Sequence, residues 1–378
     1  MIKNLKLFFI LILSLILVTG CWDSQDLNKK NIITAVGVDK VGDNYEFVVE
    51  SAKTSTSITK SKEEADIVNV YITTATGKNF EEAREKVDSK SPRLSFLGAT
   101  RVVVFGENYA KSGLTPYLNR INKTFDYRKT VLAVISRESP EEIFNQNIES
   151  AISVGFFIEN NIEYLANTGE TLYPTIGEML SDIALGEVGF VLPYIGIEDN
   201  KIEYLGLAAM SRDKLVGTVK KDNTDGILYL LAKNPLFIEV LQSPEKKENL
   251  YSFRIRINKR KIKTDYIDEN IVINIELDLN AELRYQYNIE AVSEQQIKQL
   301  EKRLSEKIKN KIVYMINRTQ KVCKCDIFDF ARYFRADNPK IYRQIHWSEE
   351  YPEAKVNVKV NTFITDLNLS DPGAETKY

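Results

Sequence analysis

The first 21 residues combine a basic start, an apolar run and a cysteine. Lys3 and Lys6 precede an apolar stretch of about a dozen residues, Leu7 to Val18, which is the length of a secretory signal core. A membrane span needs roughly 20 apolar residues, so this stretch is too short to be one. It ends in a threonine and a glycine directly before Cys21, the pattern at which bacterial lipoproteins are cleaved and lipidated. We therefore predict that residues 1–20 are a lipoprotein signal peptide and that Cys21 becomes the lipidated N-terminus.

Lipidation at Cys21 would place the rest of the chain outside the cell, on the outer face of the membrane. A diacylglyceryl group supplies two acyl chains, which anchor a protein stably, whereas a single chain binds a membrane only marginally. Residues 21–30 would then be a tether, and attachment would need no other contact with the membrane. The alternative is an ordinary cleaved signal in which this cysteine has no role.

The rest of the chain has the composition of an ordinary globular protein. No later apolar run approaches spanning length, so we expect no transmembrane helix in the mature chain. The 51 basic and 53 acidic residues nearly balance, which gives no reason to expect a nucleic-acid partner. A length of 378 residues is enough for two or three domains.

Cysteine and histidine are too scarce for a disulfide framework or a zinc site. Besides Cys21 the chain has only Cys323 and Cys325, and its one histidine is His346. We expect two packed or free thiols, with a strained redox pair as the alternative. His346 stands beside a tryptophan, where packing or hydrogen bonding is a simpler role than catalysis.

Strands and helices alternate in the first half of the chain. Residues 31–50 have the pattern of a hairpin, and the β-branched runs 99–105 and 130–136 suit strands that are buried on both faces. Residues 107–121 have helical spacing interrupted by a glycine and a proline, so we expect a kinked helix or two pieces. This alternation predicts an α/β domain over residues 31–196.

The second half is richer in alternating strands. Residues 250–258 and 270–288 alternate apolar and polar side chains, and the second run is long enough that we expect a bend near Asn280 and Ala281. Residues 355–364 alternate strictly and are predicted to close the fold as an exposed strand of an antiparallel sheet. The predicted units are a middle β-rich domain at 197–262, a C-terminal α+β domain at 263–370 and a flexible tail at 371–378.

One long helix is predicted after Ser293. Ser293 and Gln296 have capping-box spacing, and the apolar residues that follow hold one face for roughly 20 residues. These residues are Ile297, Leu300, Leu304, Ile308, Ile312, Met315 and Ile316. We expect the helix to face the core, and a partner-binding helix is the alternative. The predicted fold class is therefore α+β and multi-domain, with mixed and antiparallel sheets and packed helices.

The sequence contains no motif of a known catalytic or cofactor site. There is no glycine-rich phosphate loop, no G-x-S-x-G and no H-E-x-x-H. With one histidine, most general-base and metallohydrolase schemes lack their residues. The enzyme alternative is a pair of carboxylates that converge in the fold, as in a cell-wall glycosidase. We predict a protein that is not an enzyme and that binds no cofactor or metal.

Six basic residues lie within ten positions of the second half. They are Arg254, Arg256, Lys259, Arg260, Lys261 and Lys263. Arg254 and Arg256 face one side of a strand, and the others are expected to crowd a turn. The simple interpretation is a solvated hairpin tip. The alternative is a contact with anionic lipid or with an acidic partner surface near the membrane.

Several short motifs, taken in order along the chain, resemble those of one family. They are Gly20-Cys21-Trp22-Asp23 with Leu27, Val36-Gly37-Val38-Asp39-Lys40, Arg101 to Glu107 with Ala110 and Gly113, Leu192-Pro193, Leu215-Val216-Gly217 with Gly226, Asp326-Ile327-Phe328, and Trp347. The pattern covers essentially the whole chain and is similar to that of the Ger(x)C family of spore germination lipoproteins. These are the C subunits of nutrient germinant receptors in endospore-forming bacteria.

The resemblance implies a non-enzymatic receptor subunit on the outer face of the spore inner membrane. Such a subunit works with two integral-membrane subunits to trigger germination by nutrients. Family members are multi-domain α+β proteins, in agreement with the strands and helices predicted above. The resemblance carries over a chemical role for Cys21 alone, and it assigns no nutrient ligand and no catalytic residue.

A solute-binding lipoprotein of a transporter is the alternative function. Such proteins also carry a lipidated cysteine and mixed α/β domains, but they are built from two lobes of βαβ units around a ligand cleft. The long alternating strands of the second half fit antiparallel sheet better. A cell-wall hydrolase is the third class of function.

Overall fold

The computed structural model describes residues 30–52, 70–91, 93–124, 127–148, 151–233, 235–246, 248–288 and 292–367. The predicted signal peptide, Cys21, the tether up to residue 29 and the predicted tail at 371–378 lie outside the described residues. Within these ranges the strands form two sheets. None of the described helices is long and apolar enough to cross a membrane.

The larger sheet is mixed. Its strands are β1 (Lys30–Val41), β2 (Asn44–Ala52), β3 (Val70–Gly77), β4 (Leu94–Phe96), β5 (Val102–Gly106), β6 (Leu132–Ser136), β7 (Gly189–Glu198), β8 (Lys201–Ser211) and β9 (Lys214–Lys220). Their order across the sheet is β3-β2-β1-β5-β6-β7-β8-β9, and β4 also pairs with β1. The central strands β1, β5, β6 and β7 run parallel, and antiparallel hairpins extend both sides. The predicted hairpin and both predicted buried strands are confirmed, since every residue of β5 and β6 is buried.

Helices cover both faces of the larger sheet. They are α1 (Phe80–Asp88), α2 (Glu107–Ser112), α3 (Thr115–Lys123), α4 (Pro140–Phe144), α5 (Val154–Thr168) and α6 (Ile176–Leu185). One apolar layer joins α1, α2, α3 and α6 to one face, and a second joins α4 and α5 to the other. The predicted interruption of the helix at 107–121 is confirmed. Gly113 separates α2 from α3 with φ 122°, a conformation that glycine adopts without a steric cost.

The smaller sheet has its strands in sequential order. They are β10 (Leu236–Gln242), β11 (Leu250–Ile267), β12 (Asn270–Gln286) and β13 (Lys355–Asp366). β10, β11 and β12 pair antiparallel, but β13 runs parallel to β12, so the predicted antiparallel closing strand is wrong in its direction. The alternation of apolar and polar side chains along β13 is the same whether the strand runs parallel or antiparallel to its neighbour. The long helical connection between β12 and β13 allows the crossover that a parallel pair needs. The ladder between these two strands shifts at Ala281 and Glu282, next to the predicted bend.

A long helix covers the inner face of the smaller sheet. The helices of this half are α7 (Asp225–Leu231), α8 (Glu294–Arg318), α9 (Phe330–Asp337), α10 (Pro339–Tyr342) and α11 (Trp347–Glu350). Ser293 and Gln296 form the predicted capping box at the start of α8. The predicted apolar face of α8 is buried, with Ile297 only half-buried, and packs against the inner side chains of β12. The prediction of a core-facing helix is confirmed.

Polar side chains of α8 also occupy both edges of the smaller sheet. The Ser305 hydroxyl accepts the backbone N–H of Thr362 in β13 at 2.9 Å. At the other edge, the Lys307 ammonium donates to the carbonyl of Val240 in β10 at 2.9 Å. These contacts use backbone groups that could otherwise pair with a strand from another chain.

The two sheets share an apolar core. Val191 and Leu207 of the larger sheet belong to the same buried cluster as the inner side chains of β12 and α8. Residues 197–262, the predicted middle domain, contribute β8 and β9 to the larger sheet, and β10 with the first part of β11 to the smaller one. The predicted domain ranges stay a prediction.

Candidate interaction surface

The predicted basic cluster lies in the middle of a strand. Residues 254–263 all belong to β11, and the turn to β12 is at Asp268 and Glu269, which both adopt positive φ. The predicted hairpin tip is therefore wrong. The basic side chains project from a sheet, where neighbouring strands set their spacing.

A β-bulge decides which basic side chains share a face. The pairing of β11 with β12 shifts between Ile257 and Lys259. Outward-facing positions are even-numbered before this shift and odd-numbered after it, because the extra residue changes the phase of the alternation. The outer face, away from α8, consequently carries Arg254, Arg256, Lys259, Lys261 and Lys263. These five residues are called the basic row.

Arg260 differs from the other five basic residues because it turns towards the inner face. Its guanidinium donates to the carbonyl oxygen of Leu230 and, at 2.6 Å, to that of Ala232, at the end of α7. Burial lowers the pKa of Arg260. Arg260 therefore caps a helix C-terminus, where cations are stabilising, and is not available for a partner.

Acidic residues of β12 partly neutralise the basic row. Glu282 lies 3.8 Å from Arg254 and 3.5 Å from Arg256, and Asp278 lies 3.8 Å from Lys259. These pairs are partly exposed, so each stabilises the fold by at most about 1 kcal/mol.

The remaining cysteines and the histidine are not arranged for catalysis. Cys323 and Cys325 are free thiols, half-buried and buried respectively, as predicted. Burial raises the pKa of both thiols, which disfavours the nucleophilic thiolate. His346 is 77% exposed, with its Nδ1 3.8 Å from Glu187, so of the two roles predicted for it packing is wrong and hydrogen bonding stays a prediction. The neighbouring Trp347 is the buried residue of the pair.

Two of the sequence motifs meet at the centre of the larger sheet. β1 and β5 pair in parallel, with Val38 opposite Phe105. The Asp39 carboxylate accepts the backbone N–H of Tyr109 in the first turn of α2 at 3.1 Å. A Cβ at Gly106 would lie 2.3 Å from the Asp39 carboxylate, so only glycine leaves room for this contact. Burial raises the pKa of Asp39. The two motifs therefore join β1 to the start of α2.

Two further motifs meet in the second half, at a buried carboxylate. Asp326 accepts backbone N–H groups from Phe328 at 3.0 Å and from Ala331 at 2.8 Å, and the Trp347 indole N–H at 3.1 Å. Burial raises the pKa of Asp326 to about 6. The carboxylate thereby ties the start of α9 to α11.

A cleft of about 560 Å³ lies where the two halves of the chain meet. Phe190 and Ile327 contribute apolar walls, and Arg332 of α9 pairs with Asp182 of α6 across the junction. Burial and the nearby Asp329 raise the pKa of Asp182 to about 6. The volume suits a small molecule. Within the part of the chain that the structure describes, no three His, Cys, Asp or Glu residues are grouped so as to hold a metal.

Comparisons with known proteins match both halves of the chain. The family model described as "Spore germination protein N-terminal domain" matches residues 23–197, and "Spore germination B3/ GerAC like, C-terminal" matches residues 205–368. Similar curated proteins of Bacillus subtilis (strain 168) include "Putative spore germination protein YfkR", 23% identical over 91% of each chain. Another is "Spore germination protein KC", 22% identical over 98% of this chain and 97% of the relative.

A solved structure has the same fold. It is titled "Crystal Structure of the GerBC protein" and matches with a TM-score of 0.59 at 16% identity, over 87% of this chain and 96% of the other. At this identity the likeness concerns the fold alone. The predicted α+β, multi-domain class with mixed and antiparallel sheets is confirmed.

Proposed function

The chain belongs to the Ger(x)C family of spore germination proteins, the C subunits of germinant receptors, and on this premise we propose that it is a membrane-anchored lipoprotein subunit of such a receptor. In this role it is required for the nutrient-triggered germination response and acts through protein–protein contacts, beside two integral-membrane subunits. The observation that carries the proposal is the match of both family models, in order, from residue 23 to residue 368.

The anchor in this proposal is a diacylglyceryl group on Cys21. Lys30 begins β1 nine residues later, and a fully extended chain of that length spans about 30 Å. The larger sheet would therefore stay close to the outer face of the spore inner membrane. The anchor raises the local concentration of the folded part beside its membrane partners, as a linker does for a second binding site.

A non-enzymatic role is part of the same proposal. The motif carboxylates Asp39 and Asp326 are occupied with backbone and indole N–H donors, and the thiols Cys323 and Cys325 have raised pKa values. Their positions are explained by folding. In this proposal the described part of the chain acts through contact surfaces.

Deletion in the source spore-former tests the proposed function. Spores that lack the chain should form normally but fail to germinate with at least one nutrient, and re-expression should restore the response. Paralogous C subunits are deleted in the same strain so that they cannot compensate. Normal germination with every nutrient in that background would overturn the proposal.

The solute-binding alternative is favoured by one observation, the cleft of about 560 Å³ between the two halves. A ligand at 100 times its dissociation constant would add about 2.7 kcal/mol to the free energy of unfolding. A thermal-shift screen of amino acids and sugars on the folded chain therefore separates the two functions. A clear shift with one solute, together with normal germination of the deletion strain, would favour the transporter role.

A further inference from the structure

Large apolar side chains are exposed together at one corner of the smaller sheet. Ile238 is 60% exposed and Tyr285 is 58% exposed, and Val240, Leu250 and Tyr287 are exposed as well. These five residues are called the apolar corner. Exposed apolar groups that gather in one place and are rimmed by polar residues mark interaction sites.

Strand pairing places the members of the apolar corner side by side. Val240 of β10 lies opposite Ser252 of β11, and Ser252 lies opposite Tyr285 of β12. In the next row the Tyr287 N–H donates to the Leu250 carbonyl at 3.0 Å. The corner therefore crosses three adjacent strands on the outer face, which is also the face of the basic row.

The apolar corner and the basic row are continuous. Ile238 lies directly opposite Arg254, the first residue of the basic row. Tyrosine and arginine side chains at the border of an apolar patch are the composition of protein–protein contact centres. Both features come from the same long strands, so they are held at a fixed spacing.

We propose that the apolar corner and the basic row together form the docking surface for a protein partner whose own surface presents apolar side chains bordered by carboxylates. This inference rests on the proposed function, in which the chain acts by contact. It assigns the contact to one face of the smaller sheet.

Charge selects a protein with an acidic surface as the occupant. On the outer face, the basic row and Lys359 of β13 outnumber the four acids Asp265 of β11 and Glu276, Asp278 and Glu282 of β12. A second copy of this chain that docked through the same face would bring the same excess of positive charge and be repelled. An anionic bilayer would meet those four carboxylates on the same face, whereas a protein surface can place its acids opposite the basic row and avoid them.

Photo-crosslinking in spores tests the docking surface directly. A photoreactive phenylalanine analogue replaces Tyr285 in the full chain, and a matched variant carries it at Tyr164, which is 67% exposed on α5 of the other half. Crosslinked peptides are identified by mass spectrometry. We expect the Tyr285 position to yield peptides of an integral-membrane protein that contain Asp or Glu beside apolar residues, at least about tenfold above the Tyr164 position.

Charge substitution gives the second arm of the test. Arg254→Gln with Arg256→Gln should lower the crosslink yield at Tyr285 by about tenfold, and changing an acid of the crosslinked peptide to Lys should have the same effect. Lys302→Gln with Lys309→Gln, on the solvent side of α8, is the control and should change nothing. Equal melting temperatures show that the variants are folded.

Other outcomes overturn the docking surface. One is that Tyr285 crosslinks only to lipid, to a second copy of this chain or to residues 368–378 of the same chain. Another is that the crosslink yields at Tyr285 and Tyr164 are equal. A strain that loses germination on deletion but shows any of these results keeps the proposed function and loses this surface. The two failures are therefore distinguishable.

Discussion

The buried carboxylate of Asp326 accepts the indole N–H of Trp347 at 3.1 Å, which joins two motifs that lie 21 residues apart in the chain. Trp347 in turn stacks on Tyr351 with ring centroids 6.1 Å apart and lies 5.3 Å from the ring of Phe334. One polar contact at the centre of an aromatic cluster thus sets how α9 and α11 pack.

Trp347→Phe tests the contact between Asp326 and Trp347. A smaller aromatic ring replaces the buried indole and the N–H is lost, so a buried carboxylate is left with one donor fewer and a small cavity forms beside it. We expect the free energy of unfolding to fall by about 1–3 kcal/mol, measured by urea denaturation at pH 7. Tyr333→Phe, at an exposed position on α9, is the control and should change it by less than about 0.5 kcal/mol. Equal losses in the two variants would contradict this role.

The raised pKa of Asp326 predicts a pH dependence of stability. Its pKa is about 6 when folded and 3.8 in the unfolded reference, so between these values the folded state binds more protons. The contribution of Asp326 to the free energy of unfolding is therefore fully present below pH 4 and is lost as the pH rises through 6. The total change is about 3 kcal/mol. Asp326→Asn should remove this part of the slope. Urea titrations from pH 4 to 7 check it, and identical slopes in the two proteins would show that Asp326 does not titrate in this window.

Gly226→Ala should separate α7 from α8. A Cβ at Gly226 would lie 2.3 Å from the carbonyl oxygen of Lys311 and 2.8 Å from Met315, so the helices must move apart. We expect a loss of about 2–3 kcal/mol in the free energy of unfolding. Gly217→Ala is the matched control, because the nearest atom to its Cβ is the Cys323 sulfur at 3.7 Å. A Gly226 variant as stable as the Gly217 variant would show that the helices adjust freely.

Glu50→Ala should be among the most destabilising single changes in the larger sheet. The fully buried carboxylate accepts the backbone N–H groups of Val154 at 2.7 Å and Gly155 at 3.1 Å, at the start of α5, and the hydroxyl of Thr34 at 2.6 Å. Its removal leaves the two backbone N–H groups buried without an acceptor, at a cost of about 3 kcal/mol or more, whereas the Thr34 hydroxyl keeps the Glu50 carbonyl at 3.3 Å. Glu203→Ala, which removes a 43% exposed carboxylate, is the control. A thermal melt of both variants gives the comparison, and similar melting temperatures would refute the prediction.

Cys21→Ala tests the proposed anchor. The variant should fold, leave the membrane fraction and fail to support nutrient germination, because membrane concentration is lost. Cys323→Ala is the matched cysteine control and should stay in the membrane fraction, since that thiol is half-buried in the second half. If the Cys21 variant remains membrane-bound and germinates normally, partner contacts alone hold the protein in place.

Local patterns predicted local structure well. The capping box at Ser293 and the apolar spacing after it predicted α8 to within a few residues, because both signals are short-range. Glu50 escaped prediction for the opposite reason. The backbone groups that its carboxylate accepts, those of Val154 and Gly155, lie more than 100 residues away, and nothing around it in the chain distinguishes it from an exposed glutamate.

The basic cluster shows how one backbone irregularity changes an interpretation. Its composition was visible in the chain, but the bulge between Ile257 and Lys259 decides that Arg254 and Lys259 share a face while Arg260 turns inwards. The sequence did not predict that Tyr285 is exposed, because a tyrosine in a strand of alternating apolar and polar residues can lie on either face of the sheet. The register with β10 and β11 is what gathers it with Val240.

By itself, the sequence determined the α+β class, the core-facing helix α8 and the family, and it carries the pattern on which export and lipidation at Cys21 are proposed. Each of these follows from neighbouring residues or from motifs in order along the chain. Only the tertiary structure decided the parallel direction of β13, the partners of Asp326 and Glu50, and which side chains lie together on the outer face of the smaller sheet. The reason is physical: strand direction and register depend on contacts between residues far apart in the chain, and alternation along one strand is the same for every choice of neighbour.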